Sequence, residues 1–286
     1  MELRWIGASL LLIAPLVACS SDDPSAETTT TRAETTSTTT TATRPLVWSA
    51  TRSRETPVAG RYRQGLARHD DTWIFTTNNA IYRAAAGFVE TQGLIPAIPE
   101  ALAAQGYNHI GDGDVVDDVL WVPLERDDME SGEQVTARFD ATTFAFIDSF
   151  PVAQHHNSFV TVDDEGVVWS TDEFSDDMLL RYTVDGTTVE PLEPLGMDRV
   201  IERIQGADVA DGAIWLATDD DQNGIYRVDL ETGEVTDLGS MGHSPEGEGE
   251  GIDATELPSG LLHVLVADEA VVPMYVVDFR VAADGG

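Results

Sequence analysis

A tryptophan-bearing strand recurs along this chain at nearly constant intervals. Trp73, Trp121, Trp169 and Trp215 each follow a turn rich in Asp, Glu or Gly, and His263 stands in the fifth equivalent place, at intervals of 48, 48, 46 and 48 residues. A strand-only unit repeated at this period is typical of a β-propeller, in which each repeat forms one blade. Residues 45–286 hold five such units, so we predict an all-β, five-bladed propeller.

The two ends of the folded region predict how the ring closes. The fifth repeat ends with its third strand, around 275–281, whereas residues 46–51 have the pattern of a strand without a blade of their own. We therefore expect this N-terminal strand to complete the last blade, which leaves no long open edge. A six-bladed ring is the alternative, if residues 52–62 contain a degenerate unit, and a short helix is expected within 98–105.

The first 44 residues predict export and anchoring. Residues 1–18 combine Arg4 with an apolar run too short to span a bilayer, as in a secretion signal. The run ends Leu-Val-Ala-Cys, which resembles the lipobox of bacterial lipoproteins, with the chain's single cysteine, Cys19, as the residue carrying the lipid, palmitate included. Residues 19–44 are rich in Thr and Ser and predict a disordered stalk. We expect a protein lipid-anchored on the extracytoplasmic face of the cell membrane.

The charge of the chain restricts its partners. It carries 51 acidic residues against 16 basic ones, all of them arginine, for a formal charge of −35. Such a surface argues against binding nucleic acid and favours solubility and attraction of cations. Salt adaptation and biased genome composition explain the missing lysines equally well. We expect a monomer whose ligand is a small molecule or a protein.

One polar residue precedes the small residue that begins each inner strand. Because inner strands surround the axis of a propeller, these side chains are expected to form a ring, consisting of Gln64, Asp112, Asn157, Gln205 and Glu250. Carboxylate and amide oxygens are ligands that Ca²⁺ accepts. We predict a calcium site on Asp112, Asn157 and Glu250, with Gln64 and Gln205 completing the circle. Alternatively, the ring lines a water-filled channel and caps backbone groups.

Histidines and arginines cluster just upstream of the same strands, and Glu246 and Glu248 join them. Imidazole and guanidinium groups on one face suit an anionic or carbonyl-bearing ligand. We predict His155 and His156 as catalytic candidates, and further ligand-binding candidates at His109, His243, Arg61, Arg63 and Arg203. Solvated loop positions and simple neutralisation of nearby carboxylates are the alternative explanation.

Residues 219–224 read Asp-Asp-Asp-Gln-Asn-Gly, the first half of a calcium loop. Asp219, Asp221 and Asn223 would be the ligands. The glutamate that closes an EF-hand loop is replaced by Leu230, so this segment is no EF-hand. Asn-Gly is also an ordinary hairpin turn.

The repeat and its polar ring resemble calcium-dependent propeller lactonases and esterases of the paraoxonase and gluconolactonase type. The run Glu-Gly-Glu-Gly-Ile-Asp at 248–253 resembles a blade opening of phytase-like and SdiA-regulated-type propellers. The resemblance implies a cation on Asp112, Asn157 and Glu250 that polarises a lactone or ester carbonyl, with His155 or His156 activating water. Five-bladed glycosidases are another precedent, in which Asp112 and Glu250 would flank the bond.

Three functions therefore remain open, and the fold alone does not choose among them. The first is a lipoprotein that binds a ligand or partner at the mouth of its central channel. The second is a cation-dependent hydrolase, and the third is a glycoside-cleaving enzyme. Whether the protein is an enzyme at all is undecided by the sequence.

Overall fold

The computed structural model describes residues 46–172, 175–242, 247–268 and 274–284. Five antiparallel sheets follow one another along this part of the chain and form a ring, so the protein is a five-bladed β-propeller, as predicted. The predicted leader, the predicted stalk and Cys19 lie outside the described residues. Within those residues, no helix has the length and apolar character needed to cross a membrane.

The chain begins with β1 (Val47–Val58) and then builds the blades in order. Blade 1 contains β2 (Gly65–His69), β3 (Thr72–Thr77), β4 (Ala80–Ala85) and β5 (Val89–Leu94). The one-turn helix α1 (Glu100–Ala103) follows within the predicted range. Blade 2 contains β6 (Tyr107–Ile110), β7 (Asp114–Val116), β8 (Val119–Arg126), β9 (Gln134–Asp140) and β10 (Phe146–Val152).

The other three blades complete the ring. Blade 3 contains β11 (Thr161–Val162), β12 (Val168–Ser170), β13 (Ser175–Asp185), β14 (Thr188–Pro191) and β15 (Leu195–Glu202). Blade 4 contains β16 (Ile204–Ala210), β17 (Ala213–Thr218), β18 (Gly224–Asp229) and β19 (Val235–Ser240). Blade 5 contains β20 (Gly247–Asp253), β21 (Leu261–Asp268) and β22 (Met274–Asp284).

The N-terminal strand closes the ring. β1 pairs antiparallel with β22 from Val47 opposite Asp284 to Val58 opposite Met274, so blade 5 has the strand order β20-β21-β22-β1. This confirms the predicted closure. It also shows that the six-blade alternative is wrong, because residues 52–58 continue β1 and form no further unit.

The repeated tryptophans lie in the cores of the blades. Trp73, Trp169 and Trp215 are buried, and His263 is buried at the fifth position. Trp121 departs from the expectation because it is only partly buried: it packs edge-to-face on Phe150, with ring centroids 5.9 Å apart. In blades 2, 3 and 4 an arginine directly opposite on the next strand stacks over the indole (Arg138, Arg181 and Arg227).

Candidate functional site

Three of the predicted ring residues lie on β-bulges. The backbone N–H groups of Arg63 and Gln64 both point at the carbonyl oxygen of Thr76, at 3.3 and 3.2 Å. Gln205 is the extra residue in the pairing of β16 with β17, and Glu250 is the extra residue in the pairing of β20 with β21. A bulge redirects a side chain away from the regular alternation of a strand. All three side chains consequently line one cavity at the mouth of the ring.

This cavity, the mouth pocket, has a volume of about 400 Å³. Sequence-predicted residues associated with all five blades meet there: Gln64, His109, His156, Gln205 and Glu250. Glu248, from the Glu-Gly run, also lines it. The residues that sequence reasoning missed are Asn78, Asn108, Glu125, Arg126, Asp127 and Met129. With four acidic residues and one arginine, the lining suits neutral or cationic ligands better than anionic ones.

Asp112 lies beneath the mouth pocket at the centre of the ring. Its side chain is 1% exposed and accepts hydrogen bonds from the backbone N–H groups of Leu66 (2.8 Å), Ala207 (3.1 Å) and Ile252 (3.4 Å). These donors belong to blades 1, 4 and 5. The backbone of Asp112 also bridges to Phe159 beside blade 3. The residue therefore ties the inner strands together.

Three glycines allow the inner strands to approach Asp112 this closely. A Cβ atom on Gly65 or Gly206 would come within 2.7 Å of a carboxylate oxygen of Asp112, and one on Gly251 within 2.9 Å. Burial raises the pKa of Asp112 well above its ordinary range, while the three backbone donors oppose that rise. In blades 1, 4 and 5 the small residue of the inner strand is thus required by packing at the axis.

Asn157, the other predicted inner-ring ligand, is also occupied by protein contacts. Its amide donates to the carbonyl oxygen of Val135 (3.0 Å), and its side-chain oxygen accepts from Gln154 (2.9 Å). The structure therefore brings Gln64, Gln205 and Glu250 together and leaves Asp112 and Asn157 outside the pocket lining.

These contacts do not fit the predicted central calcium site, because the oxygens of Asp112 and Asn157 already accept hydrogen bonds from the protein. In the part of the chain that the structure describes, no group of three or more His, Cys, Asp or Glu side chains is arranged to hold a metal ion.

The predicted calcium loop forms a hairpin turn organised by its middle aspartate. Asp220 accepts hydrogen bonds from the backbone of Gln222 and Gly224, both at 3.0 Å, and from the Tyr226 hydroxyl at 2.5 Å. Asp219 and Asp221 instead lie 3.7 and 3.6 Å from the guanidinium nitrogens of Arg203. Asn223 is buried and closes the turn that begins at Asp220, with a positive φ of 48°, a conformation that Asn tolerates better than most residues. Two of the three predicted ligands, Asp219 and Asp221, therefore lie beside an arginine, while Asp220 between them organises the turn.

The remaining predicted residues are dispersed. Arg61 donates to Glu90 at 2.9 Å and stacks on Tyr62 and Tyr82, outside the mouth pocket. His155 is about half exposed and lies 3.2 Å from Asp172. Arg63 is exposed, and its charge acts on Glu250. His243 and Glu246 lie outside the described residues.

A buried histidine–carboxylate pair forms one wall of the mouth pocket. Nδ1 of His156 lies 2.6 Å from a carboxylate oxygen of Glu125, and both side chains are less than 10% exposed. Burial alone would raise the pKa of Glu125, but the hydrogen bond and charge of His156, together with the backbone N–H of Asn157, hold it below its ordinary value. Glu125 is therefore ionised at neutral pH.

His109 completes this wall. It stands directly opposite Glu125 in the pairing of β6 with β8. Burial lowers the pKa of His109; the charge of Glu125 opposes the change and that of His156 adds to it. At neutral pH this imidazole is uncharged and can accept a proton.

The pKa of Glu250 is shifted in the direction opposite to that of His109. The side chain of Glu250 is 4% exposed, and burial raises its pKa well above the ordinary range. The charge of Glu248 and a hydrogen bond with it raise that pKa further, whereas Arg63 opposes them. The mouth pocket thus combines a carboxyl group whose pKa is raised with an imidazole whose pKa is lowered, an arrangement suited to general acid–base chemistry.

A signal for Glu125 is present in the sequence. It is the fourth residue after the repeat tryptophan Trp121, and acidic residues stand at the same distance after two other tryptophans, Glu173 after Trp169 and Asp219 after Trp215. In blade 2 this position lies in the second strand, β8, and lines the mouth pocket. The pattern could have been found by aligning the repeats on both sides of the tryptophan.

Comparison with known proteins yields solved structures alone. A luciferin-regenerating enzyme superposes with a TM-score of 0.52 at 12% identity, covering 76% of this chain and 77% of its own. The likeness is one of fold. A gluconolactonase from Xanthomonas campestris superposes with a TM-score of 0.49 at 12% identity, covering 77% and 72%. No protein-family model matches the sequence, and no curated protein matches it.

Proposed function

We propose that this protein binds a small neutral ligand, rich in hydroxyl or carbonyl groups, in the mouth pocket. One observation carries the proposal: polar side chains associated with all five blades converge on a single cavity of about 400 Å³. The amides offer both donors and acceptors, the carboxylate oxygens accept, and the carboxyl group of Glu250, whose pKa burial raises, can donate. Such a lining replaces the hydration of a polyhydroxylated molecule without requiring charge on it.

The binding proposal is tested with methyl β-D-glucoside as a neutral polyhydroxylated probe, titrated calorimetrically. We expect saturable binding by the wild type and a loss of about two- to tenfold in Gln205→Ala, the effect of one net hydrogen bond. Gln222→Ala removes an exposed glutamine outside the pocket and should bind like the wild type. Absence of binding by the wild type refutes the proposed ligand class.

A second candidate is hydrolysis of an ester or lactone in the same pocket. Glu250 and His109 line the same pocket with pKa values shifted in opposite directions, which favours it. Water adds to the carbonyl carbon while His109 takes the water's proton, and Glu250 gives its proton to the departing alkoxide oxygen. The His156–Glu125 pair lies beside His109 and keeps that wall in place.

This candidate is tested by release of p-nitrophenol from p-nitrophenyl acetate and by opening of γ-butyrolactone. We expect turnover by the wild type and a loss of about 10²- to 10⁴-fold in His109→Gln, the range for removing a general base. If no turnover is detected while methyl β-D-glucoside binds, the pocket is a binding site and the hydrolase candidate falls.

The anchoring of the domain is a further part of the proposal, supported by the lipobox-like run that ends at Cys19. Cys19→Ser should release the protein from membranes or leave its leader uncleaved. A Cys19→Ser protein that is still cleaved and still sediments with membranes would overturn the lipid anchor.

A further inference from the structure

A second cavity lies beside the mouth pocket, next to α1. This helix groove has a volume of about 550 Å³, and its walls are mainly carbon, from Pro96, Ile98, Ala103 and Tyr107. Glu100 is its one charged residue. In its chemistry the helix groove contrasts with the polar mouth pocket.

The two cavities meet at Asn108, which lines both. Asn78 lines the mouth pocket and its neighbour Asn79 lines the helix groove. On β6, Asn108 is the extra residue of a bulge, so Tyr107 contributes to the groove and His109 to the pocket. The Asn108 amide donates to Asp127 at 3.1 Å, which holds it at this junction.

The walls of the helix groove are held by contacts with the blades. The backbone N–H of Ala97 donates to the carbonyl oxygen of Asn79 at 3.0 Å. The Tyr107 hydroxyl donates to the carbonyl oxygen of Glu133 at 3.2 Å, and Ile98 is buried. The groove is therefore formed before any ligand binds. Its apolar walls offer few hydrogen bonds to the water inside it, so that water is displaced at little cost.

We propose that the site takes an amphiphile: a neutral polar head in the mouth pocket and a linear alkyl or acyl chain along the helix groove. The inference rests on the proposed function, because the polar head is the ligand class assigned there. Asn108 lines both cavities, so a ligand whose head lies in the mouth pocket can extend its chain into the helix groove. The groove walls hold Glu100 and no basic residue, which favours an uncharged tail.

The test is a series of methyl, butyl and hexyl β-D-glucosides titrated into the full chain. Burying each methylene strengthens binding by up to about fourfold, so affinity should rise about two- to fourfold per carbon. Ala103→Phe fills the groove and should abolish this rise while binding methyl β-D-glucoside as the wild type does. Ala101→Phe changes an exposed residue of the same helix outside the groove, and should retain the rise.

The experiment distinguishes failure of the proposed function from failure of the helix-groove inference. If the wild type binds none of the three glucosides, the proposed function itself fails. If it binds all three with equal affinity, or if Ala103→Phe retains the dependence on chain length, the mouth pocket stands and the helix groove does not take the chain. Equal melting temperatures of the two Phe variants show that any difference between them comes from the groove.

Discussion

Replacement of Asp112 probes how the ring is held together at its axis. In Asp112→Ala the buried N–H groups of Leu66 and Ala207, which now donate at 2.8 and 3.1 Å, lose their acceptor. Each buried donor left without a partner costs about 1–3 kcal/mol, so the free energy of unfolding should fall by about 2–6 kcal/mol. The third contact, from Ile252 at 3.4 Å, adds little.

Two variants separate the lost hydrogen bonds from other effects. Asp112→Asn keeps the shape and one acceptor oxygen but turns an N–H₂ group toward a backbone donor, so it should lose about 1–3 kcal/mol. Asp164→Ala removes an exposed carboxylate of the same kind and should stay within about 0.5 kcal/mol of the wild type.

The assay is urea unfolding at pH 7, followed by tryptophan fluorescence and repeated with calcium and with EDTA. The expected order of stability is wild type and Asp164→Ala, then Asp112→Asn, then Asp112→Ala, in both solutions. An Asp112→Ala protein as stable as the wild type would refute the role of these contacts. Stabilisation of the wild type by calcium, absent from Asp112→Ala, would instead restore an ion at the axis.

Three further outcomes are expected. Trp215→Ala, which removes a fully buried indole, should cost about 3–5 kcal/mol in urea unfolding, and a cost below 1 kcal/mol would contradict its place in the core. Burial raises the pKa of Asp253 from 3.8 to about 6, so the folded state holds a proton that the unfolded state has lost. Stability should therefore fall by about 2 kcal/mol as pH rises from 4 to 6; Asp253→Asn should flatten that slope, and an unchanged slope in this variant would contradict the raised pKa of Asp253. Gly251→Ala places a Cβ 2.6 Å from the Leu66 nitrogen and should cost several kcal/mol in the same assay, whereas Gly186→Ser, at an exposed turn, tests the cost of positive φ alone.

The number of blades and the closure of the ring follow from the sequence by itself. The number of blades depends on a local pattern that repeats, a tryptophan at a constant interval with a tight turn before it. The closure depends on a single N-terminal strand pattern that completes the last blade. Because each blade is one local unit packed against its neighbours, its pattern is legible without knowledge of the rest of the chain.

The polar register before each inner strand was legible for the same reason, but the direction of each side chain was not. Glu250 and Gln205 lie on bulges and turn into the mouth pocket, whereas blade 2 has a bulge at Asn108 and its Asp112 turns to the axis. A displacement of one residue in a strand reverses the face of every side chain after it. The spacing of residues along the sequence does not reveal where such a displacement occurs.

The contacts between blades were decided by the tertiary structure. Glu125 lies near the end of a strand of blade 2 and His156 precedes a strand of blade 3, and they meet only because the ring brings these segments to one mouth. Burial at that mouth then changes the chemistry of the side chains there: it raises the pKa of Glu250 and lowers the pKa of His109. Residue types are written in the sequence, whereas desolvation and the neighbours that shift a pKa exist only once the chain is folded.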